Sequence, residues 1–457
     1  MFHANNWRER TSLFLKILWP IMVAQVGLYL MTLTDTILAG QVGTDDLAGV
    51  AIGSSLWVPI ITGINGILMA ISPIVAQLVG KGKRDEIAKS VTQSLYLSVV
   101  LALVVAGTVA VALGPILSGM NVSDNVEHIA YHYVIGLLIG IVPLFASNAL
   151  RYFFDAQGYT RISMIIILIA IPFNALFNYI LIFGKFGLPA LGGIGSGYAT
   201  AITYWIVFAM SVWMTFKVQA IRGFRLFVQW AKPSLKAWKE LMAIGVPIGM
   251  AIFFEVSIFS VVTLMMGMQY STETIAAHQS AISFTSLVFM IPLSISMALT
   301  IVVGYSVGGR RFHAARRYTF MGVWGSVGFL AICSVFMYVF REPIAYMYTN
   351  EPEVANLAIQ FLLVSIFYQL SDAIQSSLQG VLRGYKDVQV PFIITFVSYW
   401  IIGIPSGYVL STYTELGPFG YWIGIIIGLT GSAIGFWIRL STILRSSTVA
   451  KTAAVSS

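Results

Sequence analysis

The segment from Leu13 to Ala39, LFLKILWPIMVAQVGLYLMTLTDTILA, decides the fold class of this chain. It is long enough to cross the hydrocarbon core of a bilayer, which takes about 20 residues of α-helix. It also contains a proline, Pro20, and a carboxylate, Asp35. Neither is favourable in a helix that only lipid surrounds. The segment therefore predicts a membrane helix that turns its polar groups towards other helices.

The rest of the chain repeats this type of segment. Hydrophobic residues make up 58% of the 457 residues and charged residues only 10%, whereas a soluble domain needs about 25% charged residues to cover its surface. The sequence predicts an all-α polytopic membrane protein with twelve transmembrane helices. They lie at approximately 13–39, 47–79, 89–114, 126–153, 161–184, 193–216, 237–267, 275–306, 316–340, 353–381, 388–411 and 417–440.

Charged residues alternate between successive loops in the way this count requires. If both termini are cytoplasmic, all of the 26 basic residues except Lys185 and Arg341 lie on the cytoplasmic side. The outer loops carry acids instead: Asp45, Asp46, Asp124, Glu127, Glu273, Glu342, Glu351, Glu353 and Glu415. The positive-inside rule therefore supports the helix count and the orientation. We interpret the N-terminal segment as uncleaved, because no small-residue cleavage site follows it.

The two halves of the chain resemble each other. Four pairs of features recur about half the chain length apart: Leu78–Arg84 (LVGKGKR) with Ser306–Arg311 (SVGGRR), Gln157–Arg161 (QGYTR) with Arg383–Asp387 (RGYKD), Gly192–Gly195 with Gly417–Gly420, and Pro20 with Pro247. Since six helices separate the copies, both have the same orientation in the membrane. We predict two six-helix lobes related by a parallel pseudo-two-fold repeat. The N-terminal lobe is residues 1–216, a cytoplasmic linker is residues 217–236, and the C-terminal lobe is residues 237–457.

Several classes of function are excluded by what the sequence lacks. The single cysteine, Cys333, allows neither a disulfide framework nor a cysteine metal cluster. There is no phosphate-binding glycine loop, no His-Glu-x-x-His and no Gly-x-Ser-x-Gly, so we predict that the protein is not an enzyme. No stretch is polar enough to be a soluble nucleotide-binding domain. The energy for any transport must then come from an ion gradient or from the membrane potential.

Three acids fall inside apolar segments: Asp35, Glu255 and Asp372. Each charge costs about 2.5–3.5 kcal/mol at the centre of a bilayer on the insertion scale. The topology places no lysine or arginine at similar depth. Intramembrane acids of this kind are typical of a cation or proton relay. The alternative is that they are structural carboxylates, hydrogen-bonded between helices.

Other polar side chains recur beside these acids at helical spacing. On the tenth segment Ser365, Tyr368, Asp372, Gln375 or Ser376, and Gln379 share one face, and Gln25, Tyr29, Thr32 and Asp35 do so on the first. Asn174 and Asn178 are four residues apart on the fifth, Thr200 lies on the sixth, and His278, Gln279 and Ser283 lie on the eighth. Oxygen ligands of these types suit small, hard cations. For Asn174, Asn178 and Thr200, interhelical hydrogen bonding is an equal alternative.

Apolar side chains near these positions could receive hydrophobic guests. Phe253 and Phe254 precede Glu255, and Phe289 and Met290 follow the polar part of the eighth segment. Methionine in particular adapts to irregular partners. We name these four residues as possible drug contacts and Pro20 and Pro247 as possible hinges.

At these residues the sequence resembles the MATE family (multidrug and toxic compound extrusion), specifically its NorM-type branch. The resemblance covers nearly the whole chain. It rests on Pro20 with Asp35–Gly40 (DTILAG), Val75–Gly80 (VAQLVG), Asn174 and Asn178, Gly184–Gly187 (GKFG) with Pro189, Phe253–Val256 (FFEV), Ala277–Gln279 (AHQ), Tyr368–Asp372 (YQLSD) and Leu382–Asp387 (LRGYKD).

The resemblance implies multidrug efflux, in which cationic, lipophilic drugs and dyes are exported by antiport against Na⁺ or H⁺. It implies a C-lobe cation site at Glu255, Gln279, Tyr368 and Asp372, and an N-lobe site at Asp35, Asn174, Asn178 and Thr200. We predict Na⁺ at Glu255 and Asp372, and expect Asp35 to handle protons, drug or a second ion. We expect no other cofactor.

The expected setting is a monomer in the bacterial cytoplasmic (inner) membrane, with both termini cytoplasmic and no nucleic-acid partner. Coupling to H⁺ is the first alternative function. A flippase for a lipid-linked oligosaccharide is less favoured, because it would need several cations at membrane depth. A membrane-embedded enzyme such as a prenyl transferase would need an acidic metal-binding cluster at one membrane face.

Overall fold

The computed structural model describes Phe2 and residues 4–455, with side chains as far as Ser446, and the regular structure of these residues is helical throughout. The first helices are α1 (Trp7–Val42), α2 (Thr44–Leu68), α3 (Ile71–Lys81), α4 (Arg84–Ser118), α5 (Asp124–Ile139), α6 (Ile141–Ala156), α7 (Thr160–Phe183), α8 (Gly193–Lys217) and α9 (Gln219–Arg222). The others are α10 (Leu235–Gln269), α11 (Thr272–Gly308), α12 (Phe312–Val339), α13 (Arg341–Tyr346), α14 (Pro352–Gly384), α15 (Gln389–Phe396), a π-helical segment (Val397–Gly403), α16 (Ile404–Tyr413) and α17 (Phe419–Val455).

Twelve membrane spans can be traced through the described residues. Eleven helical stretches are individually long and apolar enough, and α5 with α6, bent by 51°, form the twelfth. The bend falls at Gly140, where a Cβ atom would lie only 2.7 Å from Cα of Ala201 on α8. Small residues allow this close approach of two membrane helices. Each span overlaps one predicted segment, so the predicted twelve-helix, all-α fold is confirmed.

Residue contacts divide the chain into two compact units. The N-unit is Trp19–Gly249, and the C-unit is Met250 to the end of the described chain together with the residues up to Leu18. The predicted lobes, 1–216 and 237–457, remain a prediction, and the units differ from them in one respect. The start of α1 groups with the C-unit, and the start of α10 groups with the N-unit. Both exchanges occur beside a proline, Pro20 or Pro247, where the helix loses a backbone hydrogen bond.

Each unit pairs its helices in the same pattern. In the N-unit α2 packs on α5, α3 and α4 pack on α6, and α8 packs on α5, α6 and α7. In the C-unit α11 and α12 pack on α14, and α17 packs on α14 and on the span made by α15 and α16. The bent pair α5–α6 therefore takes the place that α14 holds in the C-unit. This correspondence is the structural form of the predicted repeat.

Residues of the predicted linker, 217–236, pack against α4 of the N-unit. Gln93 Nε2 donates to the Lys232 carbonyl at 2.8 Å, and the Tyr96 hydroxyl donates to the Ala231 carbonyl at 2.7 Å. The backbone N–H of Ser234 in turn donates to Gln93 Oε1 at 2.9 Å. Because these bonds satisfy backbone groups on both sides of Pro233, the chain entering α10 has a defined path.

Candidate cation sites

The N-unit site is built around Asp35, a buried side chain on α1. Asn178 Nδ2 donates to Asp35 Oδ1 at 2.6 Å, and Thr200 Oγ1 donates to Oδ2 at 3.0 Å. Asn174, one turn before Asn178 on α7, receives a hydrogen bond from Asn178 Nδ2 at its Oδ1 atom, 3.2 Å away. The four residues predicted for the N-lobe site therefore meet, on three different helices.

Both oxygens of Asp35 accept hydrogen bonds, but two amide atoms nearby have no partner. Asn178 Oδ1 and Asn174 Nδ2 are buried and have no hydrogen-bond partner in the described chain. A buried polar atom without a partner costs about 1–3 kcal/mol. The site thus holds one ionisable group among neutral amides and a hydroxyl, with one amide oxygen still available as an acceptor.

The hydroxyls next to Asp35 on α1 do not contribute to this site. Thr32, Thr34 and Thr36 each donate to the carbonyl four residues earlier in the same helix. This is the common way for threonine to satisfy its hydroxyl inside a helix. The Thr32 hydroxyl, part of the polar stripe read from the sequence of α1, is therefore satisfied within its own helix.

The C-unit site contains two acids, Glu255 on α10 and Asp372 on α14. Gln375 Nε2 and Gln379 Nε2, one turn apart on α14, both donate to Oε1 of Glu255, at 3.0 and 2.9 Å. Asp372 Oδ1 accepts from Ser376 Oγ at 3.2 Å. Ser376 Oγ also lies 3.3 Å from Gln375 Oε1, so the two acids are linked through Gln375 and Ser376. The donors named here go to Oε1 of Glu255 and to Oδ1 of Asp372.

Tyr368 lies with these acids, whereas Gln279 does not. Tyr368 is buried on α14, one turn before Asp372, and both carboxylates act on it electrostatically. The side chain of Gln279 is exposed on α11. No hydrogen bond joins it to Glu255 or Asp372 within the described residues. Three of the four residues predicted for the C-lobe site are therefore assembled, and the fourth stands apart.

Arg383 corrects one expectation from the sequence. The topology assigned it to a cytoplasmic loop, with no base at the depth of the acids. In the structure it is only 4% exposed, on α14, one turn beyond Gln379, and it attracts Glu255 electrostatically. The assignment to a loop was wrong, because α14 continues to Gly384 and Arg383 lies within that helix. The spacing of Gln375, Gln379 and Arg383 at four-residue intervals was the signal that could have found it.

Tyr399 is a second residue that sequence reasoning missed. It is buried in the π-helical segment Val397–Gly403, within electrostatic range of Glu255, Asp372 and Tyr368. Wide helical turns of this kind are often found at functional sites. A π-helical segment has no simple sequence pattern, so Tyr399 could be found only from the fold.

The possible drug contacts have different surroundings. Phe253 is exposed, and Phe289 and Met290 are half-buried. Phe254 instead packs against three aromatic rings, those of Phe392, Phe396 and Trp400. Phe254 therefore belongs to a packed aromatic cluster beside Glu255, and the other three remain the more accessible members of the predicted set.

The hydrogen bonds of His278 indicate a structural role. Its Nδ1 accepts the indole N–H of Trp422 at 2.9 Å, and its Nε2 lies 2.9 Å from Thr263 Oγ1. Since an indole N–H can only donate, Nδ1 carries no proton. The Thr263 hydroxyl donates to the Phe259 carbonyl, so Nε2–H is the donor to Thr263. This histidine is held neutral and joins α10, α11 and α17.

Comparison with known proteins now decides the family. A protein-family model described as MatE matches residues 20–180 and again 247–409, and each match begins at one of the paired prolines. The chain belongs to the MatE family. The predicted resemblance is thereby confirmed, and the double match agrees with the predicted repeat.

Relatives of this MATE protein are similar to it along nearly their whole length. A "Probable multidrug resistance protein NorM" of Oceanobacillus iheyensis is 49% identical over 447 residues, covering 98% of this chain and 100% of the relative. A protein of the same name in Halalkalibacterium halodurans is 50% identical over 438 residues, covering 96% and 95%. Both names agree with the NorM-type branch predicted from the motifs.

Solved structures confirm the MATE fold at lower identity. The crystal structure of the eukaryotic MATE transporter AtDTX14 has a TM-score of 0.86 at 19% identity and covers 96% of this chain and 98% of its own. A crystal structure of MATE in the straight conformation has a TM-score of 0.87 at 19% identity, covering 96% and 97%. At this identity the likeness establishes the fold alone.

Proposed function

We propose that this MATE protein is a multidrug efflux antiporter that exports cationic, lipophilic drugs in exchange for Na⁺. The observation that supports the proposal is that Glu255 and Asp372 are linked by hydrogen bonds through Gln375 and Ser376, with the buried Arg383 one turn beyond Gln379. Two carboxylates and one guanidinium leave one excess negative charge when all are ionised. One monovalent cation neutralises that charge, and leaving it uncompensated within a membrane would be costly.

Sodium would take carboxylate oxygens of Glu255 and Asp372. Na⁺ is a hard cation that prefers oxygen ligands, and Asp372 and Glu255 supply them, with the Tyr368 hydroxyl nearby. A cationic drug satisfies the same charge requirement. If each cation binds better in a different state of the transporter, binding of one favours release of the other. The membrane potential adds about 2.3 kcal/mol per charge per 100 mV to this exchange.

The wider setting of the proposal follows from the charge pattern. We place the protein as a monomer in the bacterial inner membrane, with both termini cytoplasmic, because the basic loops alternate with acidic ones. The two repeated lobes would rock between inward and outward access, as transporters built from repeats do. The paired prolines, Pro20 and Pro247, would be the hinges of this motion. No step needs a catalytic residue or a cofactor beyond the coupling ion.

Coupling to H⁺ is a second candidate, and Asp35 is the observation that favours it. Its two oxygens accept from Asn178 and Thr200, and the site has no second charge. A lone buried carboxylate can be neutralised by a single proton, with no second charge left over. The flippase alternative gains little from Arg383, because one arginine near Glu255 does not supply the several cations that a pyrophosphate needs.

The test is dye efflux from vesicles under a sodium gradient. Purified protein is reconstituted, loaded with a cationic dye, and assayed with a Na⁺ gradient and, separately, with a pH gradient in Na⁺-free buffer. Glu255→Gln and Asp372→Asn should each abolish sodium-driven efflux. Glu353→Gln, an exposed acid at the start of α14, is the matched control and should transport normally.

Two outcomes would change the conclusion. Full sodium-driven efflux in both carboxylate variants would refute the C-unit as the coupling site. Efflux that responds only to the pH gradient, and that is lost in Asp35→Asn, would establish the proton-coupled alternative instead.

A further inference from the structure

A cavity of about 310 Å³ lies in the C-unit, between the N-terminal segment and the turn that joins α11 to α12. This cavity is separate from both carboxylate sites, and none of the predicted site residues lines it. Its walls include Phe2, Arg10, Tyr305, Arg311, His313 and Tyr318. Among the described residues that line it there is no acid, so its charge is positive.

Arg10 is the residue that indicates most clearly what kind of ligand the cavity binds. It is only 9% exposed, and its Nε and Nη1 atoms are buried with no hydrogen-bond acceptor in the described chain. The neighbouring acid, Glu9, is exposed and accepts instead from the backbone N–H groups of Asn5 and Asn6, at 2.7 and 3.3 Å. Buried charges in proteins are normally paired. A buried guanidinium with unused donors therefore points to an anionic ligand.

Arg311 adds a second positive group at the mouth of the cavity. Its guanidinium carbon lies 5.8 Å from the centre of the Tyr305 ring, and that ring stacks on Phe2 at 4.3 Å. The guanidinium thus lies beside an aromatic pair whose two rings also line the cavity. Arginine is the preferred side chain for phosphate, because its fork of donors matches two phosphate oxygens.

The start of α12 contributes backbone donors to the same cavity. The helix begins at Phe312, and no side chain caps it. The first N–H groups of a helix have no acceptor within it and carry the positive end of its dipole. Phe312, His313 and Ala314, which bear these groups, all line the cavity. Helix starts of this kind bind phosphate in many proteins.

The repeat offers an internal comparison. The corresponding turn of the N-unit ends at Arg84, which donates to the Ala220 carbonyl at 3.2 Å and lies 4.5 Å from the Phe224 ring centre. In the N-unit a backbone carbonyl of the chain therefore accepts a hydrogen bond from the arginine. In the C-unit the equivalent turn leaves a cavity with two arginines, one of them buried and unpaired.

We propose that this cavity binds a phosphate group through Arg10, Arg311 and the start of α12. The group would belong to the headgroup of an anionic phospholipid or to free inorganic phosphate. The basic residues Arg310, Arg316 and Arg317 surround the same turn. They would raise the local concentration of either anion. The site would tie the N-terminal segment to the α11–α12 turn when the phosphate is bound.

The test compares wild type with Arg10→Gln and with Arg8→Gln, an exposed arginine in the same helical turn. Thermal unfolding of the full-length protein in detergent is measured in two titrations. One adds phosphatidylglycerol, with a phosphate-free galactolipid as its control. The other adds potassium phosphate, with potassium chloride at equal ionic strength as its control. Native mass spectrometry counts the lipids that remain bound.

One of the two phosphate sources is expected to raise the unfolding temperature of wild type and of Arg8→Gln, and the rise should be saturable. Arg10→Gln should need at least tenfold more of that ligand and should lose one retained lipid if the lipid is the source. A response to phosphatidylglycerol alone assigns the lipid headgroup, and a response to phosphate assigns the free anion.

Arg311→Gln provides a second variant that does not disturb a buried position, since Arg311 is exposed. It should also weaken binding, and it remains informative if Arg10→Gln does not fold. Equal responses of wild type, Arg10→Gln and Arg311→Gln in both titrations would overturn the proposal. Equal stabilisation by the galactolipid or by chloride would overturn it as well.

Discussion

The two carboxylate sites differ in how their charge is held. Asp35 has both oxygens occupied by the neutral donors Asn178 and Thr200. Glu255 and Asp372 are two acids linked through Gln375 and Ser376, with Arg383 near Glu255. A single buried carboxylate can be neutralised by one proton, whereas two acids beside one arginine leave a charge that a bound metal cation can neutralise. The repeat therefore carries two sites of different chemistry.

The largest predicted difference between the two sites is in Na⁺ binding, which a substitution in the C-unit site should abolish. A ligand that binds only the folded state stabilises it in proportion to the logarithm of its concentration. Asp372→Asn should remove the Na⁺-dependent rise in unfolding temperature, because one of the two carboxylates that would bind the ion is gone. Asp35→Asn should keep it, with an apparent affinity within about tenfold of wild type, a margin of 1.4 kcal/mol. Loss of the rise in Asp35→Asn alone would reverse the assignment of the two sites.

Replacing the buried Arg383 should give the next largest effect on stability. Asp35 has no corresponding arginine among its described partners. Arg383→Gln removes the guanidinium that attracts Glu255 and leaves that buried acid less well compensated, which should destabilise the protein more than the loss of an exposed pair does. The double variant Arg383→Gln with Glu255→Gln should recover much of this loss, because the uncompensated charge is also removed. Thermal unfolding of the three proteins gives the coupling energy. Additive effects would show that Arg383 does not compensate Glu255.

Removal of a donor to Asp35 should cost less. Asn178→Leu leaves the carboxylate with one fewer hydrogen bond and should destabilise the protein by about 1–3 kcal/mol. Thr200→Val should act in the same direction. Thr203→Val is the matched control on the same helix, because the Thr203 hydroxyl donates only to the Ala199 carbonyl of α8. Equal costs for Thr200→Val and Thr203→Val would mean that Thr200 does not hold Asp35.

The smallest effect should come from a pair outside both sites. Arg439 donates to both oxygens of Asp387, at 2.6 and 3.3 Å, and is 36% exposed. Partly exposed ion pairs contribute about 1 kcal/mol or less. Arg439→Gln should therefore shift the unfolding temperature slightly and leave Na⁺-dependent stabilisation unchanged. A shift in unfolding temperature as large as that of Arg383→Gln would show that the exposed Arg439 matters as much to stability as the buried Arg383.

Part of the N-unit site could be predicted from local signals, whereas Thr200 was included through the family resemblance. A lone acid in an apolar segment is expensive, and Asn174 and Asn178 share a helix face by their spacing. The C-unit site was predicted less completely. Gln279 has the same polar character as Gln375, but only the packing of α10 on α14 brings Gln375 and Gln379 to Glu255 and leaves Gln279 exposed.

Composition and hydropathy determined that the protein lies in a membrane and that it has twelve helices, and recurring motifs determined that its halves repeat. The first two properties depend on the average cost of placing residues in lipid and the third on local motifs, and a linear sequence records both directly. Only the tertiary structure decided that Arg383 is buried near Glu255, that Tyr399 joins the site through a π-helical segment, and that Arg10 is buried without a partner. These three features depend on where each helix ends and on which helix faces pack together, because the neighbours of a buried charge in space determine its energy.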